Sequence, residues 1–228
     1  MLHNIDIVIP LAGVGRRMRA SGPRSFLDLG GETVIQRQIR LLRNRFRGAS
    51  VYLIVDENER PKRKPRSSTI IVTEGGTYQA GAVATALSYS VAKQVLVVDG
   101  SLVFEKGGMP PLPKTSCVFT RDPSESEASP SSELGVNLVN GQVLRIDYGL
   151  PTPLIKAFVL SEREKEGFLS LSSTRRGSRK FVWEVLNEVL DAGGILTQVI
   201  PESNFIAIET QKDFKLAKLL TAQESMVN

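Results

Sequence analysis

The chain of 228 residues has one cysteine, one histidine and one tryptophan. Cys117 by itself excludes an intramolecular disulfide framework, and together with His3 it leaves too few soft ligands for a structural zinc site. A reducing, cytoplasmic setting fits that usage. Long apolar runs are missing as well. The strongest, 51–55 (VYLIV) and 95–98 (VLVV), fall far short of the roughly 20 residues that cross a bilayer, so no membrane span is expected. The opening residues, MLHNIDIVIPLAG, carry an acidic residue and no basic stretch ahead of the apolar one, which argues against a secretory leader. Aromatics make up only 6% of the chain. At 41% hydrophobic and 23% charged residues the composition is that of a folded globular protein. The length suits one domain, because chains usually divide only beyond about 250–300 residues.

The net charge of +5 is unevenly spread. The first fifty residues hold nine arginines and no lysine against Asp6, Asp28 and Glu32, which favours anionic ligands at this end. A second basic run, residues 60–66 (RPKRKPR), contains two prolines that prevent a regular helix or central strand. Charge blocks of this kind are usually solvated connectors. Nucleic-acid binding is the alternative, but interleaved aromatics and a helix-turn-helix or finger pattern are lacking.

Short β-branched apolar runs alternate with helical patterns: a strand at 5–11, a helix at 33–46, strands at 51–56 and 69–73, a helix at 78–91 and a strand at 95–100. Near-continuous apolar strands of this type belong to parallel sheets covered on both faces. Further on the pattern predicts a turn-rich loop at 107–113, a short strand at 116–120, a polar loop at 122–133, a hairpin at 135–147 turning at Asn140-Gly141, a helix at 181–193, a strand at 195–200 and a helix at 210–222. The expected fold is a three-layer, Rossmann-like α/β unit over residues 1–228 with a mostly parallel sheet. A hairpin arm is expected to protrude within residues 120–150.

The densest signal follows the first strand, where Gly13-x-Gly15 leads into Arg16, Arg17 and Arg19, and Pro23-Arg24 stands before the next helix. Glycines let the main chain approach an anion and aim successive N–H groups at it, and arginines add charge-assisted hydrogen bonds to phosphate oxygens. The segment is not a P-loop, having no G-K-[ST], and Met18 stands where a dinucleotide fingerprint has its third glycine. On these residues alone, an ordinary tight turn with solvated arginines stays open beside a triphosphate site. Asp99-Gly100 at the end of an apolar strand is likewise either a turn or a metal carboxylate entering a site at the sheet's edge.

Residues 10–18 (PLAGVGRRM) and 23–35 (PRSFLDLGGETVI) resemble the signature of nucleotidyltransferases with a glycosyltransferase-A-like fold, most specifically the 2-C-methyl-D-erythritol 4-phosphate cytidylyltransferases of isoprenoid precursor synthesis. Residues 74–87 (EGGTYQAGAVATAL), 96–104 (LVVDGSLVF) and 203–220 are similar to later motifs of that family, with weaker echoes at 120–122 (TRD) and 151–153 (PTP). The resemblance implies attack by a substrate phosphate oxygen on the α-phosphorus of CTP, with pyrophosphate released and Mg²⁺ as cofactor. By position, Ala12, Gly13, Gly15 and Arg16 would cradle the nucleotide, with Gly76, Gln79 and Ala82 nearer the base. Arg17 would contact the β- and γ-phosphates, Arg24 would stand in for a lysine at the reacting phosphorus, and Asp99 would hold the metal. Arg121, Asp122 and Arg145 would take the phosphorylated polyol, and the arm would join a homodimer.

Several positions depart from the family pattern. Arg24 exchanges a compact ammonium for a planar fork. Gln79 and Ala82 replace an arginine and a serine, Pro123 replaces a threonine, Ser101 and Val103 fall in the segment where the family carries an arginine, and Ala207 falls on a lysine. A degenerate member that binds nucleotide or a partner without turnover therefore remains open beside the transferase, as does a sugar-phosphate nucleotidyltransferase with another acceptor. Arg175, Arg176, Arg179 and Lys180 are expected to form a solvated loop, with takeover of the polyol phosphate as the alternative. Phe181 and Trp183 are expected to be core anchors, and Glu184 and Glu209 surface acids rather than second metal ligands.

Overall fold

In a computed structural model, residues 4–11, 23–59, 65, 68–74, 76–122, 133–203 and 205–226 are described. The glycine-arginine stretch from residue 12 to 22, most of the basic run 60–66 and the polar segment 123–132 lie outside them. The elements run β1 (Ile5–Pro10), α1 (Val34–Arg45), β2 (Val51–Asp56), β3 (Thr69–Thr73), α2 (Ala80–Ser88), β4 (Gln94–Val98), β5 (Leu102–Phe104) and β6 (Cys117–Thr120). They continue with β7 (Leu134–Val139), β8 (Gln142–Tyr148), β9 (Thr152–Ser161), α3 (Glu162–Ser172), α4 (Val182–Asp191), β10 (Thr197–Val199), β11 (Phe205–Ala207) and α5 (Gln211–Met226).

Nine strands form one sheet in the order β3-β2-β1-β4-β9-β6-β10-β8-β7, and β5 pairs with β11 in a small second sheet. Successive strand residues point to opposite faces, and β1 divides its side chains accordingly. Ile5, Ile7 and Ile9 join a buried cluster with Ile35, Ile39 and Leu42 of α1. Val8 joins a second cluster on the other face with Ala82, Val83 and Ala86 of α2, Phe168 of α3 and Val185 of α4. Two covered faces explain why β1 is buried at every position and shows no polar alternation. α1 begins at Thr33, whose hydroxyl accepts the Gln36 N–H while the Gln36 side chain accepts the Thr33 N–H, a reciprocal cap. α5 lies over the small sheet, where Ala217 packs with Val103 and Ile208. Its end is tied to α1 by Arg37, 4% exposed, whose guanidinium meets Glu224 at 2.7 Å.

The three-layer α/β expectation holds, with two differences in detail. The sheet is parallel from β3 to β4. Beyond β4 it becomes antiparallel, because β9 runs back between β4 and β6, and the β6–β10 pair is the one parallel pairing in that half. The hairpin β7–β8 turns at Asn140 and Gly141, both with positive φ, as its Asn-Gly pair requires. Its described residues pack on the body of the sheet, and residues 123–132 of the expected arm lie outside them. Val136, Val143 and Ile146 are buried against α4, the Asn187 amide exchanges two hydrogen bonds with the main chain of Ile146, and β7 also pairs with the start of β9.

Candidate active site

A cleft of about 1010 Å³ opens at the end of β4 and β9, with Arg24, Tyr78, Asp99, Arg121, Lys156 and Glu209 among its lining residues. Asp99 directly follows β4 and is 3% exposed. Its main chain is fixed on both sides: the N–H donates to the Lys156 carbonyl at 2.9 Å, and its carbonyl accepts the Gln38 amide from α1 at 2.8 Å. Carboxylate oxygen Oδ1 accepts both the N–H and the hydroxyl of Ser101, each at 2.6 Å. Ser101 thus orients the acid that precedes it. Gly100 makes the turn possible, since a Cβ there would lie 2.7 Å from Ser25 Oγ and 2.9 Å from the Pro10 carbonyl.

Arg24 opens the short 3-10 turn that follows Pro23, and its Nη1 donates to the Ile208 carbonyl at 3.0 Å. That bond ties the arginine to the strand end beside α5. Between these groups lies Tyr78, whose hydroxyl is buried without a hydrogen bond of ordinary geometry to the described residues. Burial first, and then the facing Asp99 carboxylate, push its phenol well above the usual tyrosine range, with Arg24 opposing. An unsatisfied donor at this depth is costly and marks a place where a bound polar ligand is favoured.

Other expected residues are arranged differently. Arg121 lines the cleft, paired to Glu133 at 2.6 Å. Asp122 is exposed outside it, and Arg145 sits on the open side of β8 with Asp147 at 3.8 Å, because Val143 and Ile146 take the inward positions. Ala82 is buried in the core. Gly76 is exposed, and Gln79 precedes α2 and bridges to Phe181, so none of these three lines the cleft. Ala12, Gly13, Gly15, Arg16 and Arg17 lie outside the described residues. Arg175, Arg176 and Arg179 are exposed away from the cleft, and Lys180 is paired with Glu188.

Phe181 is not the core anchor the sequence suggests: it is exposed and stacks on Trp183 at 4.5 Å, while Trp183 itself lines the cleft and meets Tyr148 edge-on at 5.8 Å. Glu184 accepts the Phe181 N–H and so caps α4. Glu209 lines the cleft and receives the Lys156 ammonium at 2.6 Å. Sequence reasoning missed Tyr78 and Lys156. The signal for Lys156 was present, a lysine on the inward alternation of Leu154, Phe158 and Leu160 in an otherwise apolar strand.

Among the described residues no three histidine, cysteine or acidic side chains converge to hold a metal. That arrangement still fits Mg²⁺, which commonly takes one or two carboxylates and fills its other positions with water and substrate phosphates. Asp99 is the residue suited to hold it, being buried and braced by Ser101. No helix among the described residues is long and apolar enough to cross a membrane.

The family model for 2-C-methyl-D-erythritol 4-phosphate cytidylyltransferase matches residues 5–106. One curated relative of that name, from Pseudomonas fluorescens (strain Pf0-1), is 37% identical over 101 residues, so the likeness covers 43% of this chain and 43% of the relative. Among solved structures, the inositol-1-phosphate CTP transferase from T. maritima superposes with a TM-score of 0.73 at 14% identity, covering 97% of this chain and 96% of that one. The CTP:phosphocholine cytidylyltransferase from Streptococcus pneumoniae gives the same TM-score, 0.73, at 14% identity, covering 95% and 99%. At such identities the superpositions establish architecture, and the family-specific likeness rests on residues 5–106. The chain is thus similar over β1 to β5 to the 2-C-methyl-D-erythritol 4-phosphate cytidylyltransferases and has the glycosyltransferase-A-like nucleotidyltransferase fold.

Proposed function

We propose that this chain transfers a nucleotidyl group from a nucleoside triphosphate to a phosphorylated acceptor and releases pyrophosphate, with CTP and 2-C-methyl-D-erythritol 4-phosphate as the first pair to test. The observation that carries this reading is Asp99, buried, oriented by Ser101 and lining the cleft together with Arg24, within the stretch that matches the family. An acceptor phosphate oxygen attacks the α-phosphorus, its bond to that phosphorus forms as the α–β bridging bond breaks, and the electron pair leaves with pyrophosphate. Such chemistry depends on positioning and on stabilising charge. Arg24, anchored through Ile208, presents a fork that suits bidentate contact to phosphate oxygens. Tyr78, facing Asp99, contributes a buried hydroxyl that makes no hydrogen bond of ordinary geometry among the described residues. Mg²⁺, when bound at Asp99, would neutralise charge on the phosphates. The expected assembly is a homodimer, which light scattering on a sizing column tests.

A second reading is a fold that binds nucleotide without turnover, and Ala207 favours it, lining the cleft where the resembled pattern has a lysine. The two readings part in one assay. Pyrophosphate release is measured with Mg²⁺, each of four ribonucleoside triphosphates, and methylerythritol 4-phosphate or ribitol 5-phosphate. Release that needs both substrates and disappears in Asp99→Ala and Arg24→Ala supports transfer. Nucleotide affinity without release by the folded wild type supports the second reading.

A further inference from the structure

We infer that Lys156 binds the phosphate of the acceptor, and that Glu209 holds this ammonium in the cleft until the anion displaces it. The inference rests on the transfer reading above and deepens it. Antiparallel pairing of β4 with β9 sets Val98 against Ala157, and the hydrogen bond from the Asp99 N–H to the Lys156 carbonyl continues that register by one pair. Directly opposed residues in such a ladder share a face, with Cβ atoms about 4.5–5.5 Å apart. Lys156 is therefore the cross-strand neighbour of Asp99, and both line the cleft.

Sheet order then assigns the flanks. β1 lies on one side of β4 and β9 on the other, and Ser25, next to Arg24, sits against Gly100 and the Pro10 carbonyl at the end of β1. The cleft around Asp99 thus receives a cation from each side of β4, Arg24 from the turn beside β1 and Lys156 from β9. In-line displacement requires the attacking oxygen to approach opposite the departing pyrophosphate. The resemblance of residues 10–18 implies a triphosphate on the β1 flank, and the attacking phosphate then comes from the β9 flank, where Lys156 stands.

The Lys156–Glu209 pair has the character of a displaceable contact. The ammonium meets Glu209 Oε1 at 2.6 Å, but the two side chains are 33% and 41% exposed. Ion pairs this exposed are weak, so a phosphate dianion arriving beside Lys156 competes with a single carboxylate that can turn to solvent. Arg121, another cation of the cleft, is held at 2.6 Å by Glu133, an acid less exposed than Glu209.

Wild type, Lys156→Met, Lys156→Arg and Glu209→Gln are compared in two measurements. One is calorimetric titration with inorganic phosphate in the absence of metal. The other is KM for methylerythritol 4-phosphate and for CTP with Mg²⁺. Lys156→Met is expected to weaken phosphate binding and raise the acceptor KM at least fivefold, leaving the CTP KM within twofold. Lys156→Arg keeps most of the affinity, and Glu209→Gln, which frees the ammonium, keeps or tightens it. A merely structural pair would show equal losses in Lys156→Met and Glu209→Gln, and that result overturns the inference. So does unchanged phosphate affinity in Lys156→Met with an unaltered circular dichroism spectrum, or undetectable affinity in both wild type and Glu209→Gln. If wild type releases no pyrophosphate with any acceptor, the transfer reading fails while the phosphate titration still decides the role of Lys156.

Discussion

Replacing Gly100 with alanine tests whether the site depends on the close approach of two strand ends. The added methyl would meet Ser25 Oγ at 2.7 Å, the Pro10 carbonyl at 2.9 Å and the Leu11 Cα at 3.0 Å. Ser25 can rotate, but the other two atoms are main chain at the end of β1, and the Gly100 N–H itself donates to that Pro10 carbonyl at 2.9 Å. Relief therefore requires the Asp99–Ser101 turn to move off β1. Overpacking a closed site costs about 1–3 kcal/mol, and for a chain of this size each kcal/mol lowers Tm by roughly 2–4 °C. The same movement tilts the Asp99 carboxylate, so pyrophosphate release should fall by more than the stability loss explains. Gly167→Ala is the control. Gly167 lies within α3, its added methyl would be 3.8 Å from Val189 of α4, an ordinary contact, and helix propensity gives a gain of about 0.5–1 kcal/mol. Urea unfolding of both variants decides the matter: Gly100→Ala within about 0.5 kcal/mol of wild type, a typical surface-substitution effect, would refute the close-packing argument.

Three further predictions concern the scaffold. Glu224→Ala leaves the buried Arg37 guanidinium with Glu32 at 3.5 Å as its remaining acidic partner, and should cost about 3 kcal/mol in chemical denaturation; a loss below about 1 kcal/mol would show that α5 docks without this pair. Burial raises the Glu164 carboxyl, but hydrogen bonds from Ser161, Ser116 and the Ile195 N–H outweigh it and leave the group below its ordinary 4.5. A depressed carboxyl contributes stability that is present above 4.5 and is lost as pH falls through the lower folded value. Glu164→Gln should therefore flatten the acid limb of the stability curve, and an unchanged limb counts against the hydroxyl pair. Cys117 is buried and its thiol is pushed up to about 12, so at pH 8 a thiol reagent should modify the folded protein only as fast as it unfolds; immediate labelling would contradict that burial.

Much of the fold was legible because its signals are local. The strands near 5–11, 51–56 and 95–100 appear as β1, β2 and β4, since a strand covered on both faces is nearly apolar throughout, and the edge strand β3 was legible from its β-branched run TIIVT. Asn140-Gly141 announced its hairpin for the conformational reason that only such pairs accept two positive φ values readily. The longest strand, β9, went unread. Pro153 and Lys156 interrupt its apolar pattern, and Lys156 is tolerated because it lines the cleft with Glu209 as its partner. The strand's role in turning the sheet antiparallel depends on pairing with β4 and β6, which no local window contains.

The candidate site divides in the same way. By itself the sequence determined the βα rhythm, the cationic first fifty residues and an acid at the end of a buried strand, because propensity, periodicity and strand-end chemistry operate over a few neighbouring residues. Only the tertiary structure decided which distant groups meet that acid. Lys156 follows it by 57 positions in the chain yet sits opposite it by register, and Glu209 and Ile208, which take Lys156 and Arg24 as partners, come from the segment after β11. Arg145, a sequence candidate, was turned outward because Val143 and Ile146 had core places to fill. Burial sets which face of a strand points inward, and that choice is made by the whole sheet at once.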